Sequence, residues 1–573
     1  MEAKGGVLFQ IPKRFKKDKK IAYFSMEICV DGKIPSYSGG LGILAGDMLR
    51  SSADLKVPLV GVTLLYKKGY LHQEVDKKEG IQVELPEEWN PQDYMQLLPN
   101  KILIEIENRK VWIQAWLFCI KGLDNYCTPV LFLDTDLPEN SVYDRSLSDY
   151  LYGGDKRYRL AQEIVLGIGG VRMLRELGFN TISKYHMNEG HASLLTLELL
   201  DYYHHQEEKW NNSLVEKVKS LCIFTTHTPV PAGMDQFSYD LVRKVLGKPI
   251  PEPLLKEFGG QESLNMTALA LNLSHYINGV AKRHGVISQE MFPGYHINSI
   301  TNGVHSATWV SPHFRKLFDR YIPGWENDPF SLRYALNIPD EEVWQTHQEA
   351  KKCLIDIIFQ ETGVQFNSEV LTIGFARRAT AYKRADLIFY DINRLVDISR
   401  KTGKIQLIFS GKAHPKDWSG KELIQKIVHI SQQLKGQIEV VYLENYNLDL
   451  AKRIVSGVDL WLNTPKKPLE ASGTSGMKAA HNGIPSLSIL DGWWIEGCVE
   501  GFTGWAIGSA PDIKSSDQED AASLYDKLHN TVIPIYYQNR GKWINIMRHS
   551  IAINASFFNT HRMVLQYGLN AYL

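Results

Sequence analysis

The sequence predicts an α/β protein of two doubly wound domains facing one another across a cleft. Three observations carry this. A chain of 573 residues is too long for a single hydrophobic core. Its second half alternates short, apolar, β-rich runs with helix-length segments, the pattern of a parallel sheet with crossover helices. The segments that carry chemistry fall just after those runs, where open sheets bind ligands beyond the carboxyl ends of their strands.

The elements follow in order. Residues 21–26 and 57–66 read as buried strands. Residues 101–120 alternate as a hairpin around Asn108, Arg109 and Lys110, continuing toward a strand at 130–133. Helical apolar spacing marks 160–174 and 194–203, and 221–224 reads as a further strand. In the second half the strand candidates are 370–376, 405–410, 438–443, 458–462 and 485–490, and 529–573 is helical in pattern. The boundaries expected are an N-terminal α/β domain over 1–310, a crossover linker over 311–352 and a second, Rossmann-like domain over 353–528. Helices over 529–573 are able to pack back on the first domain.

Composition excludes several classes. The 64 basic and 64 acidic residues cancel, so no global field points to nucleic acid or an anionic membrane. No apolar run approaches the length of a bilayer span. The basic stretch 13–20 precedes no apolar segment and reads as a solvated arm, not a secretory signal. The six cysteines are scattered singly, with no CxxC, so reduced thiols in a cytoplasmic protein are expected. His186 and His191 lie five apart and lack HExxH spacing, so no metal site is expected.

Three segments carry chemistry. Residues 470–478 read Glu-Ala-Ser-Gly-Thr-Ser-Gly-Met-Lys, between an apolar strand and a helical start. Small residues at a helix mouth leave backbone N–H groups open to an anion. Lys478 lies one turn inside, and an amine beside a phosphate cradle suits a group that bears both an aldehyde and a phosphate, namely pyridoxal phosphate. Taken alone, the stretch also fits a loop with a solvated lysine. Arg377, Arg378, Lys383 and Arg384 follow a strand end, where arginine forks match phosphate oxygens; an exposed basic helix start fits them as well. Ser38-Gly39-Gly40-Leu41-Gly42 precedes a helical pattern and reads as a glycine loop approaching an anion, or as a plain flexible loop. Its formal match to a dinucleotide fingerprint fails, because the preceding strand ends too far upstream.

Together these segments resemble the α-glucan phosphorylase family, the enzymes of glycogen, starch and maltodextrin. The likeness rests on the 470–478 motif, on Ala376-Arg377-Arg378 upstream of Tyr382-Lys383-Arg384, and on the glycine loop. Thr226-His227-Thr228, Thr301-Asn302-Gly303, Leu443-Glu444-Asn445-Tyr446 and Asp491-Gly492 with Glu496 add to it, collinear from about residue 21 to 500. The resemblance implies a glycosyltransferase of GT-B architecture with pyridoxal 5′-phosphate on Lys478 as a Schiff base. Backbone N–H groups around Thr474, Ser475 and Gly476, with Arg377, would hold its phosphate, and Tyr66 and Tyr446 would line it. Arg378, Lys383 and the Gly40 backbone, the last counted with the cofactor too, would hold substrate phosphate. Glu470, Ser472, Gly473, Asn302 and His227 would grip the sugar, and Lys478, Arg378, Lys383 and His227 form the expected catalytic set.

The implied reaction takes an α-1,4-glucan or maltooligosaccharide and inorganic phosphate to glucose 1-phosphate, with retention. A phosphomonoester, with its second pKa of about 6, suits proton exchange near neutrality. No pair of carboxylates announces ordinary glycosidase chemistry. Departures from the family pattern are Thr380-Ala381 for a usual His-Glu, Ser475-Gly476 for Gly-Asn, and Asn447 where arginine is typical. The long N-terminal control region of larger relatives has no counterpart before Ile21, so no such allosteric regulation is expected. A homo-oligomer is compatible with the sequence. Alternatives are a glycogen-synthase-like nucleotide-sugar glucosyltransferase, which needs no such lysine, and an inactive glucan-binding homologue, which needs no phosphate cations.

Overall fold

A computed structural model describes residues 18–207, 210–230, 233–246 and 250–573. The N-terminal half is organised on a nine-stranded sheet. Its order is Asn298–Ser299, Tyr276–Gly279, Cys222–Thr225, Lys184–Asn188, Ile21–Ser25, Leu59–Leu64, Cys127–Asp134, Arg109–Lys121 and Gln96–Ile106. All neighbours pair in parallel except Arg109–Lys121, which runs antiparallel to the strands on both sides. The C-terminal half holds a wholly parallel six-stranded sheet: Glu439–Leu443, Ile405–Ser410, Leu371–Ala376, Leu460–Asn463, Ser486–Ile489 and Gly504–Ile507. Strands buried on both faces explain the unbroken apolar runs in the sequence. The expectation of a mixed α/β protein with parallel sheets is borne out.

Differences from the expected elements have local causes. The hairpin turn falls one residue earlier, on Glu107 and Asn108, whose φ of 53° and 59° give the left-handed turn that matches strand twist. The strands Lys184–Asn188, Tyr276–Gly279 and Asn298–Ser299 are short and partly polar, and Gly504–Ile507 is only four residues long, so no sustained apolar run announces them. The helix expected over 160–174 begins at Lys156 and carries a π turn over Val165–Gly169. Glycine permits close packing there: a Cβ on Gly170 would meet Phe24 at 2.5 Å. Of the basic arm, residues 13–17 lie outside the described residues. Lys19 is not solvated but buried, donating to the Tyr126 hydroxyl at 2.9 Å and to the Cys127 carbonyl at 3.1 Å. A second correction concerns the thiols: Cys119 and Cys127, on adjacent antiparallel strands, form a disulfide, while Cys29, Cys222, Cys353 and Cys498 are free.

Several contacts join the halves. The crossover helix Asp340–Thr362 starts with three acids against its dipole and stops at Gly363, whose φ is 71°. Its Lys351 and His347 reach the fully buried Asp459 at 2.6 and 2.8 Å, fastening it to the C-terminal sheet. The C-terminal helix Thr560–Tyr567 lies against the helix Gly40–Asp54, with the Ser51 and Thr560 hydroxyls 2.6 Å apart. Beside it, Asp54 accepts from His305 at 2.8 Å and from His561 at 3.1 Å. A small ribbon, His72–Val75 paired with Gln82–Leu85, leaves the N-terminal half and docks on the other. Gln73 donates to the Gly411 carbonyl at 2.9 Å, Gln82 to Ala413 at 3.0 Å, and the Val75 N–H to Glu444 at 2.7 Å. Val75 is buried there with Ala379, Ala413, Ile424 and Val428. Among the described residues no helix is long and apolar enough to cross a membrane.

Candidate active site

Loops at the carboxyl ends of both sheets supply the chemistry. Strand Leu371–Ala376 delivers Arg377, Arg378 and, as the last residue of a short 3-10 turn, Lys383. Strand Leu460–Asn463 leads to Glu470 and the short helix Ser475–Ala480, which carries Lys478. From the N-terminal half come Glu27 after Ile21–Ser25, Glu189 after Lys184–Asn188 and His227 after Cys222–Thr225.

Lys478 is buried, and burial pulls its amine down to about 8, with Asp47 and Cys29 acting in the opposite sense. Its Nζ lies 4.1 Å from the centroid of the Trp309 ring. Among the described residues no carboxylate lies within ion-pair distance of it. Such an amine is readily deprotonated near neutrality, the condition for nucleophilic use. The helix that carries it begins at Thr474 with no side-chain cap, leaving backbone donors open. Gly476 is required by packing: a Cβ there would meet the Trp493 ring at 2.7 Å and the Ser486 hydroxyl at 3.0 Å. Ser475 accepts from the Trp461 indole at 3.2 Å, and Gly473 turns the chain at φ 80°.

Glu470 receives Arg377 at 2.7 Å and Lys383 at 3.1 Å. Burial pushes its carboxyl up, but these two cations outweigh it and hold the group at about 2. The structure thus brings Arg377, Lys383 and Glu470 together as a charge cluster. Arg378 differs: it is exposed and, among the described residues, forms no ion pair. Tyr446 is half-buried, and Arg377 counters the upward push of burial on its phenol. Tyr66 is buried and donates to the Met26 carbonyl at 2.6 Å. Gly40 opens the helix Gly40–Asp54 with free space where its Cβ would lie. The Ser38 and Gly39 N–H groups next to it point to Glu27, at 2.6 and 3.3 Å.

On the sugar-facing side of the expectation, His227 sits 2.6 Å from the Asn188 amide oxygen, and its backbone N–H donates to Glu189 at 2.7 Å. Burial lowers its imidazole to about 3, so it is neutral at pH 7. The Asn302 side-chain oxygen and the Ser472 hydroxyl are buried without a hydrogen-bond partner, groups that call for a ligand or water. His186 and His191 go separate ways, the first to Thr225 and Tyr572 at 2.8 Å, the second toward Asp235 at 3.5 Å.

Sequence reading missed several neighbours. Trp309 and Asp47 bear on Lys478 yet sit in unremarkable apolar patterns. Glu189 adopts φ 78°, a rare backbone for a residue with a Cβ, and accepts three hydrogen bonds. No sequence signal announces it, since the strand before it, Lys184–Asn188, is itself partly polar. Arg159 pairs with Glu163 at 3.1 Å and Asp235 at 3.0 Å, a network spread over distant segments. Asp491, named from the sequence only as part of the resemblance, is pushed up to about 7 by burial and accepts the Glu470 N–H at 2.9 Å.

A model of the carbohydrate phosphorylase family matches residues 37–108 and 254–500, and the chain belongs to that family. Among its relatives, maltodextrin phosphorylase of Thermococcus litoralis is 40% identical, across 96% of this chain and 70% of its own length. Glycogen phosphorylase of Aquifex aeolicus is 36% identical, across 96% and 85%. An uncharacterized protein of Methanocaldococcus jannaschii is 31% identical over 97% of this chain and all of its own length. The family resemblance read from the 470–478 motif is borne out.

Proposed function

We propose that the protein is an α-glucan phosphorylase, transferring the terminal glucosyl unit of an α-1,4-glucan to inorganic phosphate. The product is α-D-glucose 1-phosphate, with retained configuration. The observation that carries this is a buried Lys478, without an ion-pair partner among the described residues, on a short helix with an uncapped start and with Arg377 bearing on it. The relatives' names support the substrate class.

The residues present fit pyridoxal phosphate: a deprotonatable buried amine, an uncapped helix start, a nearby arginine and the flat rings of Trp309 and Tyr446. Lys478 would anchor it, with Thr474, Ser475, Gly476 and Arg377 holding its phosphate and Tyr66 and Tyr446 lining it. When bound, it supplies a phosphate monoester able to exchange a proton near neutrality. The chain's own residues do the rest. Arg378, Lys383 and the Gly40 backbone receive the substrate phosphate, and Glu470, Ser472, Gly473, Asn302 and His227 orient the sugar. Several cations are needed, since two phosphates side by side repel strongly in a site shielded from water.

The organisation we assign is two Rossmann-like domains of GT-B type, over 1–310 and 353–528, joined by 311–352 and closed by helices over 529–573. The order of the C-terminal sheet and the contact of Thr560–Tyr567 with Gly40–Asp54 support it. The test is incubation with maltooligosaccharides, phosphate and pyridoxal phosphate, assayed for glucose 1-phosphate. Folded protein that takes up no pyridoxal phosphate and forms no product overturns the reading.

A further inference from the structure

Asp47 is fully buried on the helix Gly40–Asp54 and lies outside the residues assigned to cofactor and substrate. Its Oδ2 accepts the Trp309 indole N–H at 2.7 Å and the His305 backbone N–H at 3.1 Å, while Oδ1 accepts from Arg50 at 3.2 Å. The face of that same indole carries the Lys478 amine, 4.1 Å from the ring centroid. A continuous line therefore runs from a carboxylate on the N-terminal half, through an indole, to the amine on the C-terminal half. A buried indole N–H needs an acceptor, and an ionised one binds it about twice as strongly as a neutral one. The ring plane that Lys478 meets is thus set by Asp47.

We propose that Asp47 is a positioning residue for Lys478, fixing the Trp309 face against which the amine lies and keeping a negative charge beside it. This rests on the reading of Lys478 as the cofactor lysine. The charges that bear on the amine are Asp47 and Cys29 from the N-terminal half and Arg377 from the C-terminal half. Burial pushes the Cys29 thiol up to about 12, so it is neutral, and Asp47 is the anion that balances Arg377. A cation on an aromatic face is stabilised further when both are desolvated, which makes the ring's orientation matter.

Two measurements on the full chain test this. The first is the pH dependence of Lys478 labelling by an amine-reactive reagent, followed by peptide mass spectrometry. Asp47→Asn lowers the apparent pKa by about one unit or more, as loss of a nearby opposite charge requires. The second is uptake of pyridoxal phosphate, followed by absorbance. Half-saturation rises about tenfold in Trp309→Phe and in Asp47→Asn, and the double variant is no worse than either single one, because both break one link. Asp47→Ala also takes an acceptor from Arg50, so the Asn and Phe variants, checked by circular dichroism, carry the test. An unchanged Lys478 titration in Asp47→Asn overturns the proposal, as do losses that multiply in the double variant. Labelling needs no cofactor, so wild-type protein that takes up no pyridoxal phosphate sinks the phosphorylase reading while Asp47 is still tested.

Discussion

Arg377 and Glu470 meet at 2.7 Å, so the loop after one strand of the C-terminal sheet is tied to the loop after its neighbour, inside the site. Lys383 reaches the same carboxylate oxygen at 3.1 Å. The group is held at about 2 against an ordinary 4.5, and a depressed carboxyl stabilises the fold above the higher value and ceases to do so below the lower. Glu470→Gln is therefore expected to cost about 3 kcal/mol at pH 7, by the linkage relation. The gap to wild type closes as pH falls from 4.5 toward 2. Urea melts at pH 7 and pH 3 check it; a gap that stays constant counts against the assignment.

Lys478→Ala is expected to leave the circular dichroism and melting temperature nearly unchanged, since the amine forms no ion pair among the described residues. It abolishes retention of pyridoxal phosphate through gel filtration and phosphorolysis with it. A variant that keeps full turnover removes Lys478 from the mechanism.

Arg378→Ala separates the two substrates. An exposed guanidinium without an ion pair is available for phosphate, and a lost charge-assisted hydrogen bond costs about 1.5–3 kcal/mol. The Michaelis constant for phosphate should rise roughly 10- to 100-fold by that estimate, with that for maltooligosaccharide changed little. Steady-state kinetics in both substrates decide it, and an unaltered phosphate constant refutes the role.

Gly476→Ala tests the cradle by sterics alone. Its Cβ would press on the Trp493 ring at 2.7 Å, and overpacking of this kind costs about 1–3 kcal/mol. Lower thermal stability and weaker cofactor uptake are expected, and Trp493→Leu, by making room, restores part of the uptake. Wild-type behaviour in Gly476→Ala would show that the helix mouth tolerates a side chain.

Much of the C-terminal half was legible because its strands are buried on both faces and spelled in unbroken apolar runs, as in Leu371–Ala376 and Ile405–Ser410. The Lys478 loop was legible because glycine and serine at a helix mouth are rarely there for propensity's sake. What escaped was whatever depended on distant partners. Glu189 looks like any acid until its backbone is seen at φ 78°. Asp47 looks like a misplaced polar residue on an apolar helix until Trp309 arrives from 262 positions away. The ribbon His72–Val75 has too few apolar residues to read as a strand, since much of its stability comes from side-chain amides reaching across the crevice.

That ribbon has a mechanical consequence. Prising the two halves apart means breaking the bonds from Gln73, Gln82 and Val75 and wetting a packed valine, so the ribbon works as a clasp that resists their separation.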